Sequence, residues 1–366
     1  MSAAGSSQGA NAPSGGSAVR EATSVGARIL IVKLSSLGDV VHAMPAVQDI
    51  RRALPHAQID WVVERSLVPL VRRCEGVTRV IACDLRRWRK SIWSRQTRSE
   101  WQAFKRELQS QAYDAVIDLQ GLSKSALVAW LANLAPGGRR YALANQTEGS
   151  GYEAPTRWLA HQSFRIEPHT HAVQRSRMLC AKSLAYELPS EISFGLMAKA
   201  SQDDAGKFKA NVSGRPCVAL VHGTSRADKQ WPQAHWLALA QQLDAAGYDV
   251  ALLHGTDSEQ VFSESLAQQL RNAKVWPRLA LDQMVDALSA CAGVIGVDSG
   301  LSHIAVALNL PHVQLYNFDT AWRTGPSPVR PEPGGGRQRS VFAQPTPDVS
   351  TVWQAWCSVS RSAKSK

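Results

Sequence analysis

Aliphatic runs of a few residues alternate with stretches of helical spacing along most of this chain. The first run, R-I-L-I-V-K at 28–33, is β-branched and fits a buried strand. Turn chemistry follows as S-S-L-G-D at 35–39. Met44, Val47, Ile50 and Leu54 then repeat at helical spacing, with Pro45 expected in the first turn of that helix. Further strands are predicted at 58–63, 78–82 and 113–119. Helices are predicted at 66–73, around Trp101, Phe104 and Leu108, and at 122–134.

The alternation restarts at 216–221 with the strand P-C-V-A-L-V. A helix at 233–246 stops at Gly247, and a strand is expected at 248–254. Helices at 258–270 and 281–291, a strand at 293–298, a helix at 301–308 and a strand at 312–316 complete the series. A proline- and glycine-rich loop at 326–336 precedes a last helix near 349–358. Strand–helix alternation of this kind is the signature of a parallel sheet covered on both faces. Two such series, parted by a polar stretch near 190–215, predict an α/β protein built of two Rossmann-like domains in tandem. The length, 366 residues, is also more than one compact core usually holds.

The segment 1–26 is mostly Ala, Gly and Ser and has no aromatic residue or apolar core, so it reads as a disordered tail and not a secretory signal. No apolar run approaches the ~18–20 residues of a spanning helix. Cys74, Cys83, Cys180, Cys217, Cys291 and Cys357 form no C-x-x-C pair, and reduced thiols in a cytosolic protein are expected. Charge changes the picture more. Lys and Arg number 41 against 30 Asp and Glu, a net +11. That surplus points to nucleic acid, phosphorylated small molecules or an anionic membrane.

In open α/β sheets ligands bind beyond the carboxyl ends of the strands, so the turns that follow them hold the candidate chemistry. After the first strand, Gly38 lets backbone approach a ligand, and Asp39 stands at a helix start. There it either caps free N–H groups or serves as a general base, and the spacing leaves both open. After 216–221 comes H-G-T-S-R-A-D-K-Q-W-P, whose hydroxyls and Lys229 suit phosphate oxygens, although a plain solvated loop has the same composition. After 293–297 comes D-S-G-L-S-H, a strand-to-helix turn whose free N–H groups suit a diphosphate. His303 in that turn is either structural or a ligand contact, and Asp298 is expected to orient its neighbours because it would repel a phosphate. The stretch 86–106 holds eight basic residues, three Trp and one acid. It is either a solvated face over a buried stripe or a basic surface for an anionic partner.

Four segments, K-L-S-S-L-G-D-V-V-H-A-M-P-A from Lys33, D-L-Q-G-L-S-K-S-A from Asp118, T-S-R-A-D-K-Q-W-P from Thr224 and V-D-S-G-L-S-H from Val297, occur in order. Together they resemble the lipopolysaccharide heptosyltransferases of glycosyltransferase family 9, over residues 28 to 345. R-R-W-R-K at 86–90 is most similar to the branch that adds the first heptose. The resemblance implies a GT-B fold, two Rossmann-like domains facing each other across a cleft. It implies inverting transfer of heptose from ADP-heptose to the first Kdo of Kdo2-lipid A, at the cytoplasmic face of the bacterial inner membrane. Asp39 matches the catalytic aspartate. Thr224, Ser225 and Lys229 match the donor-phosphate segment, where the family often has Thr-Thr. Asp298, Ser299, Gly300 and His303 match the donor-binding turn. Glu259 falls where the family places a ribose-binding glutamate, and Leu279 near the adenine. Arg86, Arg87, Arg89 and Lys90, with Gln120 and Lys124, are the implied acceptor contacts. No cofactor and no metal are implied.

On this reading 1–26 is the tail, 27–195 the acceptor-binding domain, 196–345 the ADP-heptose-binding domain and 346–366 a C-terminal helix and tail. A monomer in peripheral contact with an anionic membrane is expected. Transfer of a second or third heptose is the nearest alternative. A nucleic-acid-binding protein is the more distant one, since no RNP, zinc-finger or helix-turn-helix signature accompanies the positive charge.

Overall fold

Two parallel sheets of six strands organise the protein, as seen in a computed structural model that describes residues 26–199, 214–326 and 336–364. The expected tail, apart from Gly26, lies outside the described residues, as do 200–213 of the polar stretch and 327–335 of the expected loop. The first sheet comprises β1 (Arg28–Val32), β2 (Gln58–Glu64), β3 (Val77–Cys83), β4 (Ala112–Asp118), β5 (Asn133–Leu143) and β6 (Gln162–Phe164). Its spatial order is β3-β2-β1-β4-β5-β6. The second comprises β7 (Cys217–Val221), β8 (Asp249–Leu252), β9 (Ala273–Val275), β10 (Gly293–Val297), β11 (His312–Tyr316) and β12 (Gln338–Phe342), ordered β12-β11-β10-β7-β8-β9. Counted from its own first strand, the second sheet repeats the order of the first. Both therefore reverse direction beside their first strand, at β1/β4 and at β7/β10, and a crevice opens at each reversal.

Helices of eight or more residues are numbered α1 (Leu37–Ala53), α2 (Arg95–Leu108), α3 (Ser123–Leu131), α4 (Ala172–Leu184), α5 (Gln233–Ala245), α6 (Asp257–Ala267), α7 (Leu281–Ser289), α8 (Gly300–Ala307) and α9 (Val349–Lys364). Strand parity sorts the core. Ile29 and Ile31 face inward, while Leu30 and Val32 face Phe104 of α2 and Val128 of α3. Cys217, Ala219 and Val221 face inward, while Val218 and Leu220 face Leu239 of α5 and Trp356 of α9. The inward residues of both sheets join one apolar cluster with α1, α4, Leu288 of α7 and Ile304 of α8. The two halves thus meet through their inner helices.

The sequence reading places α1 too late. The helix begins at Leu37, so Pro45 lies in its interior and not in its first turn. It persists because α1 is buried along most of its length, and packing outweighs the missing donor. The helix expected at 122–134 ends at Leu131, and β5 begins two residues later. Pro136, Gly137 and Gly138 hide that strand from propensity; its pairing with β4 slips across them, between Tyr113 and Ala115. Helix α4 shows why apolar patterning missed it. Its buried face includes Arg175, Ser176 and Arg177. Arg177 reaches Asp49 of α1 through Nε at 2.6 Å and a second nitrogen at 3.1 Å, and donates to the carbonyls of Pro189 and Glu191. A bidentate pair so fully hydrogen-bonded is tolerated in the interior and fixes α4 against α1.

Candidate active site

Each of the four segments singled out in the sequence follows a strand at a reversal: after β1 and β4 in the first sheet, after β7 and β10 in the second. Asp39 occupies the first turn of α1. Its Oδ2 accepts the Ser36 N–H at 3.0 Å and the Ser36 hydroxyl at 2.8 Å, so it does cap the helix. Its Oδ1 is turned to two cations, Lys33 Nζ at 3.8 Å and Arg175 at 3.9 Å, and the side chain stays 35% exposed. Capping uses one oxygen and leaves the other without a hydrogen bond among the described residues. Burial works to raise the carboxyl, but Lys33 and the Ser36 hydrogen bonds outweigh it and hold Asp39 below the usual carboxylate range. Lys33 is itself buried, donates to the Leu119 carbonyl at 3.1 Å, and is lowered by that burial.

The turn after β4 supports the turn after β1. Gln120 Oε1 accepts the N–H groups of Leu34 and Ser35, both at 3.1 Å. Buried Asp118 accepts from Gln120 N–H, Gly121 N–H and the Ser125 hydroxyl, and burial pushes it up to about 6. Gln120, an implied acceptor contact, thus has its oxygen committed to holding the Asp39 turn. Lys124 is half-buried beside it. In the basic stretch only Arg86 reaches this turn, donating to Ser35 Oγ at 3.2 Å. Arg87 turns away to Asp84 and Glu100. Arg89 and Lys90 are exposed.

On the second sheet, Asp298 is buried at the end of β10, 6% exposed. Lys229 Nζ donates to its Oδ2 at 2.6 Å; Gln314 and Thr324 donate to Oδ1 at 3.4 Å, and His303 Nε2 lies 3.4 Å away. Burial would raise this carboxyl, but His303 and Lys229 hold it well below the usual range. Four side chains thus converge on it. The Thr224 hydroxyl donates to the Asp298 carbonyl at 3.3 Å, while Ser225 is exposed. Ser299 caps α8 by position, yet its hydroxyl is buried without a partner. Glu259 closes a capping box on α6, its Oε2 accepting the Thr256 N–H at 3.2 Å and also the Gly255 N–H at 2.7 Å. Its other oxygen lies where a Cβ on Gly223 would stand, at 2.5 Å, which brings Glu259 to the turn after β7. Leu279 is half-buried against the shared core.

The two turns touch. A Cβ on Gly38 would lie 2.6 Å from the His303 ring, and one on Gly300 would lie 2.5 Å from Leu37. Two glycines thus let the N-termini of α1 and α8 meet across the cleft. The His42 ring packs 4.2 Å from that of His303, and burial, then His303 and His171, hold it well below the ordinary histidine range. His171 takes the Nδ1 of its ring to the Val173 N–H at 3.2 Å, so Nε2 carries the proton and donates it to the Gly325 carbonyl of the other half at 2.9 Å. Sequence reasoning missed Lys33, His42, His171 and Arg175. For His42 a signal existed, since three residues beyond Asp39 is the same helix face. For His171 and Arg175 none did, because only α4 packing on α1 brings them here.

Among the described residues no group of three or more His, Cys, Asp or Glu is arranged to hold a metal ion, and no helix is long and apolar enough to cross a membrane. The profile of glycosyltransferase family 9 (heptosyltransferase) matches residues 101–335. Lipopolysaccharide heptosyltransferase 1 of Pseudomonas aeruginosa is 37% identical over 303 residues, 81% of this chain and 81% of that one. Lipopolysaccharide heptosyltransferase 2 of Escherichia coli is 27% identical over 304 residues, 79% of this chain and 82% of that one. An Escherichia coli heptosyltransferase solved with ADP-2-deoxy-2-fluoro heptose superposes with a TM-score of 0.71 at 30% identity, covering 92% of this chain and 99% of that one.

Proposed function

The chain belongs to glycosyltransferase family 9, and on that premise we propose that it transfers heptose from ADP-heptose in lipopolysaccharide inner-core synthesis, as a heptosyltransferase of the first kind. The greater identity to heptosyltransferase 1 than to heptosyltransferase 2 supports that choice. We assign the first Kdo of Kdo2-lipid A as acceptor, 27–195 as the acceptor side and 196–345 as the donor side. One observation carries the reading. A half-exposed carboxylate flanked by cations faces, across a glycine-lined contact, a buried carboxylate that aims a lysine and a histidine from the other sheet.

In the proposed mechanism Asp39 Oδ1 takes the proton of the attacking Kdo hydroxyl while Oδ2 stays on Ser36. The depressed carboxyl keeps this base ionised at neutral pH. Displacement at the anomeric carbon inverts it and releases ADP. Lys229 has three donors, of which Asp298 holds one, so the others are free for diphosphate oxygens. The unpartnered Ser299 hydroxyl and the α8 N-terminus add donors to the same charge. Glu259 takes ribose hydroxyls through the oxygen that faces Gly223. Thr224, Ser225, His303 and Leu279 complete the donor side. Arg86 presents a cation to the acceptor at the rim of the Asp39 turn.

The test is incubation with ADP-heptose and Kdo2-lipid A, followed by mass analysis of the lipid. A gain of one heptose is expected. Transfer only to lipid that already carries a heptose would replace this reading with that of a later heptosyltransferase.

A further inference from the structure

The outer layer of the first sheet combines the 85–94 loop, α2 and α3 on one core of Trp88, Phe104, Leu108, Val128 and Ala129. Its solvent side departs from the rest of the surface. Trp93 is 81% exposed and Trp130 of α3 is 52% exposed, with Ile92 and Leu127 also standing out to solvent. Trp158, on the short helix Pro155–Trp158 packed beside α3, is 68% exposed. These are the exposed tryptophans among the described residues, whereas Trp61, Trp231, Trp236, Trp276 and Trp356 are buried in the two halves. Indole rings left in water on one layer mark an interaction surface.

The charge on this layer names the partner. Arg89, Lys90, Arg95 and Arg98 on the loop and the start of α2, and Arg157 next to Trp158 in the chain, are exposed, and the Arg98 guanidinium lies 6.0 Å over Trp93. Of the acids on the loop and α2, Glu100 is consumed by Arg87 and the Trp88 indole, and exposed Glu107 stands at the C-terminal end of α2, away from the loop. Indoles settle at the headgroup level of a bilayer, and arginine stems reach outward to lipid phosphates. Ile92, Leu127 and Leu159 have no use for a nucleic-acid base edge, but hydrocarbon accepts them. The layer also reaches the cleft, since Arg86 joins its loop to Ser35 in the Asp39 turn.

We infer that this face, with Trp93, Trp130 and Trp158 at headgroup level, docks the enzyme on an anionic bilayer so that the acceptor side of the cleft opens at the membrane surface. The inference rests on the lipid-linked acceptor of the proposed function. Full-length protein is floated with phosphatidylcholine vesicles and with vesicles that also contain phosphatidylglycerol. Binding to the anionic vesicles alone is expected, with weakening by salt and a blue shift of tryptophan emission. W93S/W130S/W158S is expected to bind at least tenfold more weakly. R95Q/R98Q, which keeps the indoles, is expected to lose most of the preference for anionic lipid. Both variants should keep wild-type ADP affinity, which reports the fold, and wild-type transfer to detergent-dispersed acceptor. Transfer failing in detergent for the wild type overturns the proposed function and leaves vesicle binding to decide the docking face. No wild-type binding to anionic vesicles, triple-variant binding equal to wild type, or binding to RNA in place of vesicles overturns the docking face.

Discussion

Asp39 follows β1 and Asp298 follows β10, so two carboxylates stand at the reversal points of two sheets with the same strand order. Each lies beside a lysine, and each is held below the ordinary carboxylate range against the effect of burial. Their surroundings differ. Asp298 is 6% exposed and its oxygens are taken by Lys229, Gln314 and Thr324, with His303 alongside. Asp39 is 35% exposed, and only one of its oxygens is committed to hydrogen bonds. Residue type, topological address and direction of pKa shift are therefore the same at both sites. Saturation by partners and access are what distinguish a group able to meet substrate from one that positions its neighbours.

The sharpest way to break this comparison is to remove charge from each site in turn. Asp39→Asn keeps the shape of the cap and loses the base. We expect kcat to fall about 10²–10⁴-fold with ADP binding unchanged, as read by steady-state kinetics and calorimetry. Retention of most activity would leave Asp39 with the capping role alone. Asp298→Asn should instead weaken ADP binding, by roughly 10–100-fold, because Lys229 and His303 lose the group that aims them. It should also lower stability by about 1–3 kcal/mol, less than for a fully enclosed pair because Lys229 keeps 20% of its surface in solvent. Wild-type ADP affinity in this variant would make the two carboxylates equivalent after all.

A smaller effect probes the contact between the turns. Gly38→Ala drives a methyl into the His303 ring, which is wedged against His42 and has little room to yield. A cost of ~1–3 kcal/mol is expected in denaturant unfolding. Gly300→Ala meets Leu37 at its Cδ2 and Cγ, both 2.5 Å away, and at its Cβ, 2.8 Å away and fixed to the backbone of α1, so a similar cost is expected. Wild-type stability in either variant would mean that the contact between the turns yields freely. The smallest effect is on pH dependence. Lys33 is the chief favourable charge holding Asp39 ionised, so Lys33→Met raises the carboxyl in the folded protein. Activity needs the ionised form, so the acid limb of the kcat profile should move to higher pH. At neutral pH the rate should change less than about tenfold. An unmoved acid limb would show that Asp39 protonation does not set it.

The sequence alone determined the inner strands of both sheets, because β-branched runs such as 28–33 and 293–297 are buried on both faces and carry their signal locally, whereas β5, β6, β9 and β12 toward the edges escaped it. It also singled out the turns that stand at the reversal points of the two sheets. A short segment that must end a strand, start a helix and leave backbone N–H groups free requires Gly, Ser and Asp at fixed spacing. What sequence could not supply was anything carried by pairing between distant segments. Strand β5 is held by β4 on one side and β6 on the other across a Pro-Gly-Gly interruption, and no local preference favours it. Helix α4 buries arginines whose charge is acceptable only because Asp49, more than a hundred residues earlier, is waiting for Arg177. That same helix delivers Arg175 to Asp39 and His171 to Gly325. The distinction between Asp39 and Asp298 belongs to the same class. Partner count depends on which distant segments each half folds around its turn, Lys229, Gln314 and Thr324 for Asp298 and Arg175 for Asp39, and the pattern of residues along either turn does not encode it.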